Sequence, residues 1–533
     1  MTGTGFKKDA CEIMEELYIK RGGKVEVYEF QLAGKEETNY VALDLVTGAF
    51  GYAVKIMEEI KEVHLTAGRK QVVLADKSQS GILNGYEISL EKPIYIQDGH
   101  VQVPVSFFSD ILGFRVQIDQ QNMTASITDE VTEFNRADCL IYFHENLMKQ
   151  TKADMESGDA FCLKAYHEIK READNFMKQP MDSVVNKTMV PPSGDMHDYL
   201  TIAPYFWPDS DSETGLPWKP KDGQINPKSR GADTDFVRTS EMFNGLETLC
   251  LCYYYSDDTS YLNKCLECIR VWFLDEKTRM NPYIKYGQSV PGGIEGRPLG
   301  VIEWTSIVNV ITALQLLERN HMIRQEELDA MSDWLTAYAS WLQRSNLGIE
   351  EDEQRNNHGS NYDYQLVGIL IYLNRMEEAI ERLESVKTRR IDDYIQPDGS
   401  QPFELRRTKS INYTCMNLRV LTKVAYLAKK FSDIDLWNYE SEDGRSLKKA
   451  YAFLKPYILN EKKWEWKQIQ ETVDIKLENT MRPLFINAKV LFGDEFLDFP
   501  DSFPVSIPYF DVLRFHMKCK KNNDEIVWKS YQI

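Results

Sequence analysis

Along most of the chain, apolar residues recur at helical spacing. Leu246, Leu249, Cys250 and Tyr253 fall at i, i+3, i+4 and i+7. After the turn Ser256-Asp257-Asp258-Thr259-Ser260, residues Leu262, Cys265, Leu266 and Ile269 repeat that spacing. Helical character begins near residue 133, and the pattern predicts helices over about 302–318, 325–343, 362–373, 376–387, 415–430, 444–455 and 479–491. Residues 70–129 differ. Gln71–Leu74, Tyr86–Leu90, Ile94–Ile96, Val101–Val103, Phe114–Ile118 and Thr124–Thr128 are short, and several alternate with period two, as strands do. Asp98-Gly99 is a hairpin signal, and Val105–Leu112 reads as one short helix ended by Gly113. Earlier still, 7–20 and 53–63 read as helices with Glu-rich faces and Val25–Phe30 as a strand.

These patterns divide the chain into residues 1–69, to which no chemistry attaches, a small α+β accessory domain over 70–130, and a mainly α domain over 131–533. Antiparallel helical hairpins joined by short loops imply a toroid or an irregular bundle. The absence of a fixed sequence period speaks against a solenoid of uniform repeats.

Composition narrows the function. With 533 residues and abundant aromatics, the chain has material for a large core. Its formal net charge of −19 argues against a nucleic-acid partner, which would need a basic footprint. A local basic cleft can still hold a polyanion. Residues 386–410 hold six basic residues (Lys387, Arg389, Arg390, Arg406, Arg407 and Lys409) against four acids (Asp392, Asp393, Asp398 and Glu404). The nine cysteines form no disulfide framework, and Cys250, Cys252, Cys265 and Cys268 lie inside helical patterns without neighbouring histidines, so a core role outweighs zinc. No acidic cluster has calcium-site spacing, and neither a metal nor another cofactor is expected. No apolar run of about 18 residues predicts a membrane span. Met1–Gly5 is followed by charge rather than an apolar stretch, which predicts no export signal in this chain. The expectation is a cytoplasmic protein, or a secreted or surface one whose signal has been removed.

Three polar clusters carry candidate chemistry. The first contains Ser193, His197, Tyr199, Tyr205 and Trp207, in a stretch rich in Pro, Gly and aromatics. Aromatic faces stack on sugar rings and hydroxyls bond sugar oxygens, although the same stretch could be a packed structural loop. The second holds Asn281, Gln288 and Arg297 around Pro291-Gly292-Gly293. Its glycines allow backbone to approach a ligand, or serve the loop alone. The third opens with Arg355-Asn356-Asn357-His358-Gly359-Ser360-Asn361-Tyr362-Asp363 and closes with Glu404-Leu405-Arg406-Arg407-Thr408-Lys409-Ser410-Ile411-Asn412-Tyr413. An amide, an imidazole, guanidinium groups and a phenol together can hold a carboxylate and move a proton.

The third cluster, with Pro397-Asp398-Gly399-Ser400 before its second half, resembles the alginate lyase superfamily of polysaccharide lyases, which have an (α/α) toroid. The segments His197–Asp209, Trp272–Pro282 and Gln288–Arg297 are similar to that family in the same order, so the resemblance runs from about 140 to about 490. Lys92–Asp119 resembles the small domain at the N-terminus of some copper amine oxidases and on many bacterial surface proteins, which implies an accessory module.

The lyase resemblance implies β-elimination on a uronate-containing polysaccharide, alginate or glucuronan-like, to give unsaturated oligosaccharides. Asn357 and an arginine would neutralise the C6 carboxylate, His358 would be a base or assist one, and Tyr413 would be the acid, or both acid and base. His197 and Tyr199 would line the groove, with Ser193, Tyr205, Trp207, Asn281, Gln288, Arg297, Asn356 and Tyr362 as further substrate contacts. The family's spacing points to Arg406 and the Glu-Leu-x-Arg context to Arg407, so both remain open. A free phenol has a pKa near 10, which a guanidinium lowers, whereas a free imidazole titrates near 6.5. Two rivals stand beside this reading. One is a glycoside hydrolase on a helical toroid, using two of Asp198, Asp363 and Glu303. The other is a catalytically silent glycan-binding protein.

Overall fold

The computed structural model describes residues 16–21, 24–28, 40–67, 70–97, 99–119, 124–128 and 139–518. Contacts between Cα atoms divide the chain into two compact units. One is built on Met1–Phe134 with Ser332–Ser345 and Leu373–Arg375, and the other on Asn135–Met331, Asn346–Tyr372 and Met376–Ile533.

The N-terminal part is small and α+β. In chain order it carries β1 (Glu16–Arg21), β2 (Lys24–Tyr28), β3 (Tyr40–Ala42), α1 (Leu43–Ala49), β4 (Ala53–Met57), β5 (Glu62–Ala67), β6 (Lys70–Ala75), β7 (Ser80–Leu83), β8 (Tyr86–Ser89), β9 (Tyr95–Gln97), β10 (His100–Pro104), α2 (Ser106–Asp110), β11 (Arg115–Asp119) and β12 (Thr124–Thr128). The sheets run β11-β12-β1-β2, β3-β10-β9 and β4-β5-β6-β7-β8. Within them β1 and β12 pair in parallel.

Two expected helices are strands here. Residues 16–20 belong to β1, and 53–63 form β4 and the start of β5. In β5, Val63 and Leu65 are fully buried while Glu62 and His64 are not. That period-two burial outweighs the Glu-rich face that suggested a helix. Residues 7–15, 29–30 and Asp98 lie outside the described residues. The boundary expected between 69 and 70 runs through the antiparallel pair of β5 and β6, and β1 lies beside β12, so residues on both sides of it share sheets.

From residue 139 the chain is predominantly helical. Its elements are α3 (Glu145–Glu156), α4 (Ala160–Met177), β13 (Leu200–Ile202), β14 (Phe206–Trp207), β15 (Lys219–Pro220), α5 (Phe236–Ser256), α6 (Ser260–Ile269), β16 (Tyr286–Ser289), α7 (Ile307–Arg319), α8 (Gln325–Arg344), α9 (Asn346–Asp352), α10 (Asn357–Tyr372), α11 (Met376–Val386), α12 (Pro402–Leu405), α13 (Ser410–Phe431), α14 (Leu447–Ile458), α15 (Val473–Lys476), α16 (Arg482–Phe492) and α17 (Tyr509–Phe515). Consecutive helices pack back on one another: α4 on α5, α5 on α6 and α10 on α11, with α10 also against α13 and α7. This is an (α/α) toroid of antiparallel hairpins. Every residue of α10 is buried, so its polar N-terminal residues lie inside the domain. The run Pro298–Arg319 has the length and apolarity of a membrane span, but 78% of its apolar window is buried inside the fold, as in a core helix. Cys250, Cys252, Cys265 and Cys268 are buried free thiols of α5 and α6.

Candidate active site

Two helix N-termini build the site. Asn357 and His358 are the first residues of α10, and Tyr413 lies in the first turn of α13. The Asn356 carboxamide oxygen accepts the His358 backbone N–H at 2.9 Å and so caps α10. Glu404, in α12, accepts the Asn357 backbone N–H at 2.5 Å and its Nδ2 at 3.0 and 3.1 Å. His358 Nδ1 lies 2.7 Å from Glu351 Oε1. A carboxylate there accepts a hydrogen bond from Nδ1–H, which leaves Nε2 as the basic nitrogen.

Around Tyr413 the contacts are equally specific. Its hydroxyl is 2.7 Å from that of Tyr205, and the Arg407 guanidinium lies 3.8 Å from its ring centroid. Arg407 is held by Asp222, with Nη2 at 2.7 Å and Nε at 3.2 Å from Oδ1. Asp222 also accepts the Thr408 backbone N–H and hydroxyl, at 3.1 and 2.9 Å. The next residue must be glycine. Gly223 has φ +75°, and a Cβ there would lie 2.5 Å from Thr408 Oγ1. This pins the segment carrying Tyr205 against the start of α13. Arg406, by contrast, is exposed, with its guanidinium 4.8 Å from the Phe403 ring. Of the two arginines, Arg407 is the one at Tyr413.

Burial is the largest influence on Tyr413 and pushes its hydroxyl well above the usual phenol range; Tyr205 adds to this and Arg407 opposes it. Burial raises Glu404 to about 7, against its Asn357 hydrogen bonds and the charges of Arg407 and His358. Glu404 thus ties the two helix ends into one electrostatic unit.

A further buried carboxylate, Glu303, accepts the hydroxyls of Tyr199 at 2.9 Å and Thr201 at 2.7 Å, and burial raises it to about 6. Arg297 is half-buried, 5.0 Å above the Phe206 ring, and makes no direct ion pair among the described residues. Burial lowers its pKa, while Glu351 and Glu303 oppose that.

Several residues expected to contact substrate have side-chain atoms bonded within the protein. Tyr199 is buried with its hydroxyl committed to Glu303. Gln288 is buried, and its backbone N–H donates to Thr201 Oγ1 at 2.7 Å. Tyr362 is buried beneath the Arg382 guanidinium, 5.1 Å from its ring. Ser193 donates to Asp198 at 2.6 Å, as does Asn281 Nδ2 at 2.6 Å. His197 Nδ1 donates to the Arg279 carbonyl at 2.6 Å, and Trp207 Nε1 to that of Gln224 at 2.9 Å. The local basic excess also shrinks, because Arg389 and Arg390 are paired with Asp352, and Lys387 with Glu384.

The carboxylates considered for hydrolysis are occupied. Asp198 is the hub just described, Asp363 pairs with Arg382 and Arg390, and Glu303 is buried beneath Tyr199 and Thr201. Glu351 and Asp222 carry no local signal, and Glu404, although inside the third cluster, gives no sign in the sequence of its partner Asn357. Among the described residues, Asp154, Asp159 and Cys162 are the group close enough to share a cation, and Lys518 already pairs with both carboxylates.

The alginate lyase family profile matches residues 183–464, and the copper amine oxidase N-terminal domain profile matches residues 20–127. No curated protein matches the sequence. A crystal structure of an alginate lyase from Bacteroides ovatus is similar at 34% identity, covering 68% of this chain and 93% of that one, with a TM-score of 0.63. Alginate lyase A1-III from Sphingomonas species A1 matches at 16% identity over 65% of this chain and 94% of its own, with a TM-score of 0.42. The chain belongs to the alginate lyase family of polysaccharide lyases.

Proposed function

We propose that this lyase cleaves a uronate-containing polysaccharide, polymannuronate-rich alginate or glucuronan, by β-elimination. The observation that carries this reading is Tyr413, its hydroxyl 2.7 Å from that of Tyr205 and the Arg407 guanidinium over its ring, with Asn357 held by Glu404, three residues before Arg407. The residues given roles in this chemistry all lie in the predominantly helical part of the chain, between Tyr205 and Tyr413.

Removing the C5 proton of a uronate is difficult because the adjacent carboxylate is already negative. Asn357 supplies a hydrogen bond to that carboxylate, and half-buried Arg297 supplies a cation without a direct acidic partner. Both act on the charge that develops on the carboxylate as the proton leaves. Tyr413 as phenolate takes the C5 proton, with the Arg407 guanidinium over its ring favouring the charge that burial and Tyr205 oppose. The same hydroxyl then returns the proton to O4 as the C4–O4 bond breaks, leaving a 4,5-double bond. One residue can do both when H5 and O4 share a face of the ring, as in mannuronate and glucuronate. In guluronate they lie on opposite faces, and His358 Nε2 would have to be the base.

A panel of polymannuronate, polyguluronate, glucuronan, hyaluronan, heparin-type chains and pectate tests this. Ultraviolet absorbance of the conjugated double bond is expected to rise with polymannuronate or glucuronan and more slowly with polyguluronate. New reducing ends without absorbance would indicate hydrolysis, and binding without either would indicate a silent binder.

Arg407 also sets a pH dependence. A cation beside Tyr413 favours the phenolate, so Arg407→Gln raises the Tyr413 pKa further. The rise of kcat/KM with pH is therefore expected to move to higher pH in Arg407→Gln. An unmoved profile would separate Arg407 from the ionisation of the base.

A further inference from the structure

Glu404 is 1% exposed, yet no cation among the described residues makes an ion pair with it. Its direct side-chain partner is Asn357, which gives it one backbone and one side-chain donor. The charged groups that face it are Arg407, three residues on, and His358 from α10. Burying a carboxylate against an amide is costly unless the charge has a task. Satisfying the backbone N–H groups at the start of α10 does not require a charge, since Asn356 does so at His358 with a neutral side chain.

When ionised, Glu404 does something a neutral cap cannot: it only accepts. A carboxamide can turn over, exchanging its oxygen and nitrogen at little cost when its neighbours both donate and accept. Facing Glu404, the Asn357 amide is held with Nδ2 toward the carboxylate. The two Glu404 oxygens lie at nearly equal distances from Nδ2, 3.0 and 3.1 Å, and are too close together to take both diverging hydrogens. One N–H is shared between them and the other is left over.

We infer that Glu404 is a positioning residue, which fixes the Asn357 amide so that its remaining N–H is directed to the uronate carboxylate. This rests on the role given to Asn357 above. Glu404 acts through Asn357 and does not touch substrate.

The test is a double-mutant cycle in the full-length protein: wild type, Glu404→Gln, Asn357→Ala and the pair. Glutamine can donate as well as accept, so the amide is free to turn. Glu404→Gln is expected to lower kcat about 10- to 100-fold with little change in KM. In the Asn357→Ala background the same substitution should have no further effect on kcat, because nothing remains to be oriented. Equal losses in both backgrounds would overturn the inference. So would a lowered unfolding midpoint with wild-type kcat, the signature of a helix cap alone. Asn357→Ala with normal turnover would remove the role of Asn357 itself, a result distinct from an impaired Asn357→Ala beside an unimpaired Glu404→Gln. Should Glu404→Gln fail to fold, Glu404→Asp retracts the acceptor by one methylene and retains the charge. The same loss of kcat, cancelled in the Asn357→Ala background, is then expected.

Discussion

Tyr413→Phe is expected to lower kcat by about 1,000-fold or more while leaving the protein folded. The substitution deletes one oxygen, the atom assigned both proton transfers, and keeps the ring that packs beneath Arg407. The stability cost is the lost hydrogen bond to Tyr205, on the order of 1 kcal/mol. A continuous absorbance assay for turnover and circular dichroism for the fold check the two parts separately. Turnover near that of wild type would remove Tyr413 from the mechanism and leave His358 as the base.

Asp363→Ala is expected to cost stability rather than chemistry. Asp363 lies in α10, 1% exposed, and accepts Arg382 Nε at 2.6 Å and Arg390 Nε at 2.7 Å. Asp352 takes further donors of the same guanidinium groups, including Arg382 Nη1 at 3.0 Å and Arg390 Nη2 at 2.5 Å, together with Arg389 Nη2 at 2.8 Å. Removing Asp363 leaves two buried cations sharing one acid that also serves a third. Breaking such a network typically costs about 3–5 kcal/mol. Urea denaturation of wild type and variant measures it. A loss below about 1 kcal/mol would mean that this network does not hold the helix bearing Asn357 and His358.

The helical periodicity was readable because α8 and α11 bury an apolar stripe: 325–343 and 376–387 were expected, against Gln325–Arg344 and Met376–Val386. It failed at the starts of α10 and α13. Asn357 through Asn361 are polar yet buried, so a stripe-based reading begins that helix at 362 instead of 357. The two halves of the third cluster therefore begin outside the helices that the stripe predicts, yet lie at helix N-termini. In β4 and β5 the opposite error arose, from acidic residues spaced as on a helix face over a chain that alternates in burial.

The site was legible where its residues sit in compact motifs, as with Asn357-His358 and Arg407 near Tyr413. What holds those residues was not. Asp222 is 185 positions from Arg407, and Glu404 is 47 from Asn357. Motif membership also failed to separate contact from support: Tyr199 and Tyr205 lie in one stretch, yet the first is locked on Glu303 and the second meets Tyr413.

The most direct measurement is the mass of the products that the wild-type protein releases from its best polymer in the panel. Elimination predicts fragments one water lighter than hydrolysis would give, each absorbing in the ultraviolet through its new double bond. Fragments carrying the full water and no absorbance would contradict elimination and require carboxylates that the fold has committed elsewhere.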